Sequence, residues 1–126
     1  MTETSNRSYK DLIVWQRAVK LCIDVYAATR RLPADERFGL CAQLRRAAVS
    51  VPSNVAEGYS RGTRPDYVRF LWVANGSLGE LETQFLIVRE LGFLDAPKVD
   101  ALLANISEII RLNRALIRSL TREVRP

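Results

Sequence analysis

A predicted helix near the middle of the chain carries polar side chains on one face, and their types could serve an active site. Those residues are Gln43, Arg46, Ser50, Asn54 and Glu57. Spacings of three and four residues align them along a helix. An apolar set lies beside this face: Leu40, Leu44, Ala47, Ala48, Val51 and Val55. The pattern therefore predicts more than core packing for this segment.

The chain lacks the residue that proteins most often use for proton transfer and for metal binding. The chain contains no histidine, which excludes His-dependent catalysis and His-based metal sites. Cys22 and Cys41 have no paired metal-ligand spacing, so we interpret them as small apolar residues of a reduced protein. The sequence also has no Gly-rich phosphate loop and no CxxC motif. We expect a non-enzymatic protein with no metal site and no cofactor.

The polar face is then better explained as part of the packing between two helices. Small residues and carboxylates follow in the next predicted helix, where Gly76 and Gly79 each cost helix propensity. We interpret those glycines as sites of close approach by another helix backbone. The expected polar network sets the register of the helices and supports assembly. Its predicted members are Gln43, Arg45, Arg46, Ser50, Asn54, Glu57, Glu80 and Glu82.

Arginines near the C-terminus form the second candidate site. The chain carries a net charge of +5, and 16 of its 19 basic residues are arginine. Five of them lie within about 80° on one face of a helix: Arg111, Arg114, Arg118, Arg122 and Arg125. Arginine binds phosphate bidentately, so this arginine stripe favours RNA or DNA as a partner, bound with weak sequence preference. A solvated helix face that complements the helix dipole is the other interpretation.

Four helices can position these residues. Hydrophobic periodicity, caps and breakers predict helices over 11–31, 36–59, 64–91 and 96–123. Asp11, Asp35 and Thr63 are the expected starts of the first three, and Gly92 is the expected left-handed residue after the third. Short connections favour an all-α, antiparallel up-down four-helix bundle, with residues 1–126 as one domain. Pro52 predicts a kink in the second helix.

The helices carry more apolar surface than one core requires. In the first helix we expect one stripe to face the interior: Leu12, Trp15, Val19, Cys22, Ile23 and Tyr26. The surplus consists of Val14, Ala18, Leu21, Val25 and Ala28, with Val68, Trp72, Asn75, Gly79 and Leu86 on the third helix. We interpret it as a subunit interface of a ring-like homo-oligomer. A central helix buried on all sides is the alternative.

Several of these segments together resemble one protein family. They are Tyr9-Lys10-Asp11-Leu12, Gln43-Leu44-Arg45-Arg46-Ala47-Ala48, Ser50-Val51-Pro52-Ser53-Asn54-Val55-Ala56-Glu57-Gly58 and Ala74-Asn75-Gly76-Ser77-Leu78-Gly79-Glu80-Leu81-Glu82. The chain resembles the four helix bundle proteins, also called 23S ribosomal RNA intervening-sequence proteins, over nearly its whole length. The resemblance implies a homopentamer. It also implies kinship with the accessory variability determinant of diversity-generating retroelements, which works with a reverse transcriptase and nucleic acid.

No apolar run approaches the ~20 residues that span a bilayer, so we expect a soluble, cytoplasmic protein. The preferred interpretation is an oligomeric accessory protein that binds nucleic acid through arginine–phosphate contacts. The alternative is a protein-interaction scaffold with no nucleic-acid role.

Overall fold

The computed structural model describes residues 8–122, and in this range the chain is entirely helical, as expected. There is no strand in that part of the chain. Short 3-10 turns at Tyr9–Asp11 and Ala34–Glu36 precede the first two α-helices. The four α-helices are α1 (Ile13–Thr29), α2 (Leu40–Ser60), α3 (Arg64–Glu90) and α4 (Ala96–Arg122).

The starts of α1 and α2 differ from the prediction because the expected caps act one turn earlier. Asp11 belongs to the first 3-10 turn, where its carboxylate accepts a hydrogen bond from the backbone N–H of Ser8. Glu36 lies in the second turn, and its Oε1 accepts the backbone N–H of Leu40 at 3.1 Å. Asp35 therefore does not cap α2, whose N-cap is Gly39.

The boundaries around α3 agree with the prediction. The hydroxyl of Thr63 accepts the backbone N–H of Asp66 at 3.4 Å, and Pro65 occupies the first turn, where its missing N–H costs nothing. At the other end, Gly92 has a φ of +72°, a conformation that glycine adopts without steric penalty.

The apolar faces of α1 are the reverse of the expected assignment. The stripe assigned to a subunit interface is buried in the core: Val14, Ala18, Leu21, Val25 and Ala28. The stripe assigned to the interior lies at its margin, and Ile23 is 64% exposed. Residues in the buried stripe are smaller, which permits closer approach of the neighbouring helices. On α3, Leu71, Ala74, Leu78, Leu81 and Phe85 are buried.

Helices α2 and α3 approach each other closely at Gly58. A Cβ added there would lie 2.9 Å from the Phe70 Cβ and 3.0 Å from the Tyr67 carbonyl oxygen. By contrast, a Cβ at Gly76 or Gly79 would meet nothing within 4 Å. The expectation that these two glycines admit a neighbouring helix is therefore wrong within the subunit.

Contacting pairs fix the relative direction of neighbouring helices. From the pair Gln43–Gln84 to the pair Ser50–Ser77, residue numbers rise on α2 and fall on α3, so these two helices are antiparallel. Helix α2 continues through Pro52 without interruption. Within residues 8–122, no helix is both long enough and apolar enough to cross a bilayer.

Candidate nucleic-acid interface

The arginine stripe lies on the exposed face of α4. Arg111, Arg114, Arg118 and Arg122 are all exposed, on the side of the helix away from buried Ile109 and Ile117. Arg125, the fifth member of the stripe, lies outside the described residues.

Arg111 is partly neutralised by a carboxylate on its own helix. Its guanidinium contacts Glu108, which also forms an ion pair with Arg17 of α1 at 3.5 Å. One carboxylate thus faces two cations. Arg111 retains some positive potential, but its side chain is already engaged.

Arg114 lies against an aromatic side chain of the neighbouring helix. Its guanidinium carbon is 5.5 Å from the ring centroid of Trp72 on α3, within the distance of a cation–π contact. Trp72 is 46% exposed. The sequence placed it on a surplus apolar face but gave no sign of this arginine, because the contact joins residues 42 positions apart.

Arg118 and Arg122 have no ion-pair partner within residues 8–122. They continue the same face toward the C-terminal end of α4, each about 6 Å further along the helix axis. An exposed guanidinium without a carboxylate keeps its full charge available to an anion. Among the four members of the stripe that the structure describes, these two are the most available cations.

More arginines lie at the start of α3 and the end of α2. Arg61 pairs with Glu57 at 3.6 Å, and Arg69 pairs with Asp66 at 3.5 Å. Both guanidinium groups also approach the ring of Phe70, at 5.0 and 4.5 Å from its centroid. Two cations therefore approach one aromatic ring on this part of the surface.

A pocket of about 310 Å³ opens between the α2–α3 turn and the last turns of α4. It is lined by Tyr59, Gly62, Thr63, Arg64, Tyr67 and Leu120. The two tyrosine rings meet edge to face, with centroids 5.7 Å apart. Burial, with a smaller contribution from Tyr59, raises the pKa of Tyr67 to about 12. The Tyr67 side of the pocket is therefore neutral and aromatic at physiological pH, whereas Arg64 adds a cation to the lining.

The polar face of α2 forms a smaller network than the sequence suggested. Ser50 and Ser77 share a hydrogen bond of 2.8 Å, and the Asn54 amide donates to the Ser50 hydroxyl and carbonyl at 2.9 and 2.8 Å. Gln84 donates to Gln43 at 3.4 Å on the exposed margin. Along this face of α2, hydroxyls and amides join the helix to α3.

The charged residues assigned to that network lie elsewhere. The Arg45 Nε donates to the hydroxyl of Thr29 on α1 at 2.8 Å, and its guanidinium lies 4.7 Å from the ring centroid of Tyr26. Glu57 pairs locally with Arg61. Within the described range, no hydrogen bond or ion pair involves the side chains of Arg46, Glu80 or Glu82. Ser77 and Gln84 are members that the expected list omitted, and their polar type and spacing of seven residues could have indicated them.

The carboxylates and cysteines do not converge on a metal site. In the part of the chain that the structure describes, no three of these residues cluster with geometry for a metal ion. The two thiols are separate, with Cys41 buried and Cys22 half-buried.

Comparison with known proteins agrees with the fold and the motifs. A crystal structure of a protein of unknown function from the S23 ribosomal protein family of Bacteroides thetaiotaomicron VPI-5482 is similar, with a TM-score of 0.78 at 17% identity. The similarity covers 83% of this chain and 98% of that one. No curated protein matches this chain. A family model described as 23S rRNA-intervening sequence protein matches residues 10–115, and the chain therefore belongs to that family.

Proposed function

We propose that this protein is a non-enzymatic, homo-oligomeric accessory factor that binds RNA or DNA through arginine–phosphate contacts. The up-down bundle is its protomer, and a ring of five copies is the assembly that the family likeness implies. The same likeness favours a reverse transcriptase or another nucleic-acid enzyme as its protein partner. Resemblance alone does not transfer function, so each part rests on the surface of this chain.

The observation that carries nucleic-acid binding is the exposure of Arg118 and Arg122 without a carboxylate partner in the described structure. A surface built for solubility alone usually intersperses both signs of charge. Here the cations instead follow one helix face, and Arg114 extends that face onto α3 through Trp72. Repetition of the face around a ring would add the fields of several copies, which favours a polyanion.

Binding of generic RNA and DNA as a function of salt concentration tests this proposal. Counterion release makes the logarithm of affinity fall linearly with the logarithm of salt, with a slope near 0.7–0.9 per phosphate neutralised. The double variant Arg114→Ala/Arg118→Ala should weaken binding and reduce that slope by about 1 to 2. An unchanged affinity and slope would remove the stripe from the proposal.

A charge-matched variant separates the stripe from net charge. Arg30 and Arg46 are exposed and have no ion-pair partner in the described range, and they lie away from the arginine stripe. Arg30→Ala/Arg46→Ala removes the same two charges and should leave most of the affinity. Equal losses for the two double variants would show that only total charge matters.

The exposed face of α3 supports self-association. Val73, Gly76, Thr83 and Ile87 recur at helical spacing, and Val73 and Ile87 are 45% and 43% exposed. A glycine inside a helix costs about 1 kcal/mol relative to alanine. Nothing within the subunit offsets that cost at Gly76, because a Cβ there would meet open space. Close approach of a helix from a second copy would explain the glycine.

Mass in solution tests the assembly directly. The wild-type protein should have a multiple of the 14.3 kDa subunit mass, with five copies expected. Gly76→Leu places a branched side chain in the open space beside Gly76. It should lower the mass of the assembly without unfolding the subunit. Ala104→Leu adds the same side chain on exposed α4 and should leave the mass unchanged. A wild-type monomer at micromolar concentration would refute self-association.

The alternative function is a protein-interaction scaffold. The exposed apolar side chains of α3 favour it, since patches of this kind commonly mark protein contacts. A scaffold predicts an oligomer that binds neither RNA nor DNA at low salt. Oligomeric mass combined with salt-dependent binding would exclude it.

A further inference from the structure

We propose that Trp72 is a stacking platform for an unpaired base, which makes single-stranded nucleic acid the ligand of the arginine stripe. This inference rests on the proposed function and adds to it the class of ligand. Three observations on α3 and α4, all concerning the surroundings of this exposed indole, support it.

The first observation is that the indole is large, exposed and uncovered by its own helix. Trp72 is 46% exposed. Side chains on a helix lean toward its N-terminus, so a side chain four residues later would lean over this ring. That position is Gly76, and the position seven residues later is Gly79. Neither glycine carries a side chain that could cover the ring, and a Cβ at either would meet nothing within 4 Å.

The second observation is the position of the cations. The Arg114 guanidinium lies 5.5 Å from the Trp72 ring centroid. Arg118 follows one turn later on the same face of α4. Phosphates held by Arg118 and Arg122 would therefore place a neighbouring base close to the indole. Base stacking on an aromatic side chain combined with a cationic track for the backbone is the usual mode of single-strand binding.

The third observation is charge, which distinguishes the two possible occupants of this surface. A second copy of the chain would bring a net charge of +5 toward the same arginines. A polyanion is attracted by them. In a duplex the bases stack on one another, so an indole on a helix surface reaches only an unpaired base.

Fluorescence of Trp72 provides the first test. The chain contains two tryptophans, so Trp15→Phe leaves Trp72 as the only indole. An oligothymidylate of about 12 nucleotides matches the length that such sites cover. It should quench the Trp72 emission in a saturable manner, and a duplex of equal length should quench it much less. Equal quenching by the two ligands would overturn the single-strand assignment.

An abasic ligand separates stacking from phosphate binding. Trp72→Leu should weaken binding of the oligothymidylate by about fivefold to 150-fold, the range for one stacked base. It should change binding of an abasic strand of the same length by less than about twofold, because that strand offers phosphates alone. Trp72→Phe keeps a π face and should retain most of the affinity.

The remaining outcomes are also decisive. If Trp72→Leu leaves oligothymidylate binding intact while Arg114→Ala/Arg118→Ala abolishes it, the stacking inference fails and the proposed function stands. If no strand binds in a salt-dependent manner, the proposed function itself fails. If Trp72→Leu changes the oligomeric mass, the indole packs between copies and the inference is overturned.

Discussion

The hydroxyls of Ser50 on α2 and Ser77 on α3 share a hydrogen bond of 2.8 Å across the helix interface. Ser77 is 6% exposed, and Ser50 also accepts from the Asn54 amide. This short chain of neutral groups fixes the register of the two helices. It does so without burying a charge, which would carry a desolvation penalty of several kcal/mol.

Removal of the Ser77 hydroxyl should show how much this hydrogen bond contributes to the free energy of unfolding. We expect Ser77→Ala to lower the free energy of unfolding by about 0.5–1.5 kcal/mol, the net value of a typical hydrogen bond. Urea denaturation at a fixed protein concentration checks the value. In a double-mutant cycle with Ser50→Ala, the two losses should couple by about 0.5 kcal/mol or more. Fully additive losses would show that the two hydroxyls act independently.

Gly58 should not tolerate a larger side chain, although alanine is the better helix former. A Cβ at this position would come within 2.9 Å of the Phe70 Cβ. Overpacking of this kind costs about 1–3 kcal/mol, which exceeds the gain of about 1 kcal/mol in helix propensity. We therefore expect Gly58→Ala to lower the urea midpoint. The control is Gly79→Ala, which meets open space and should raise it; similar shifts for both variants would contradict the close approach.

Two substitutions of similar size at Asn113 should change the stability of the protein by different amounts. It is fully buried, and its amide donates to the Leu71 carbonyl at 2.9 Å while its Oδ1 has no partner in the described structure. Asn113→Asp removes the donor and buries a carboxyl group, so we expect a loss of about 2 kcal/mol or more. Asn113→Leu removes the donor and the unpartnered acceptor together and should stay within about 1 kcal/mol of wild type. Thermal and urea unfolding would compare the two; equal losses would contradict this account.

Stability should fall at high pH because of Tyr67. Its folded pKa is about 12, above the ordinary value of 10.0, because burial disfavours the phenolate. The unfolded chain therefore loses this proton first. The contribution of Tyr67 is fully present below pH 10 and is lost as the pH rises toward 12.

The variant Tyr67→Phe isolates this contribution, because it keeps the ring and removes the titrating group. Urea midpoints measured from pH 9 to 12 should fall less steeply for the variant than for wild type. Parallel curves would assign the alkaline loss of stability to other groups. Tyr59→Phe should have a weaker effect, because Tyr59 is the smaller cause of the shift.

The positions where α3 begins and ends could be predicted because they depend on local backbone chemistry. Thr63, Pro65 and Gly92 each act within a few residues of their own position, and the structure has α3 begin at Arg64 as expected. The starts of α1 and α2 were less predictable. Asp11 accepts the backbone N–H of Ser8 at a 3-10 turn, and Glu36 accepts the backbone N–H of Leu40 at the start of α2. In the sequence, an acidic residue with such a role looks the same as an N-cap.

The choice of the buried face on α1 could not be made from periodicity. Both stripes have helical spacing, and the one with Trp15 and Tyr26 contains more apolar area. The interior instead contains the stripe with Ala18 and Ala28, because small side chains let four helices meet around one core. That preference depends on the volumes of the facing residues on other helices, which cannot be inferred from the sequence of α1 alone.

For the candidate interface, the sequence by itself determined that four arginines, Arg111 to Arg122, share one exposed face of α4, since their angular spacing is a property of any α-helix. It also determined the absence of histidine chemistry. The Glu108–Arg111 contact lies within one helix, three residues apart, whereas only the tertiary structure brings Glu108 against Arg17 of α1. It likewise brought Trp72 against Arg114, a contact that depends on how α3 and α4 pack and not on the order of residues in either.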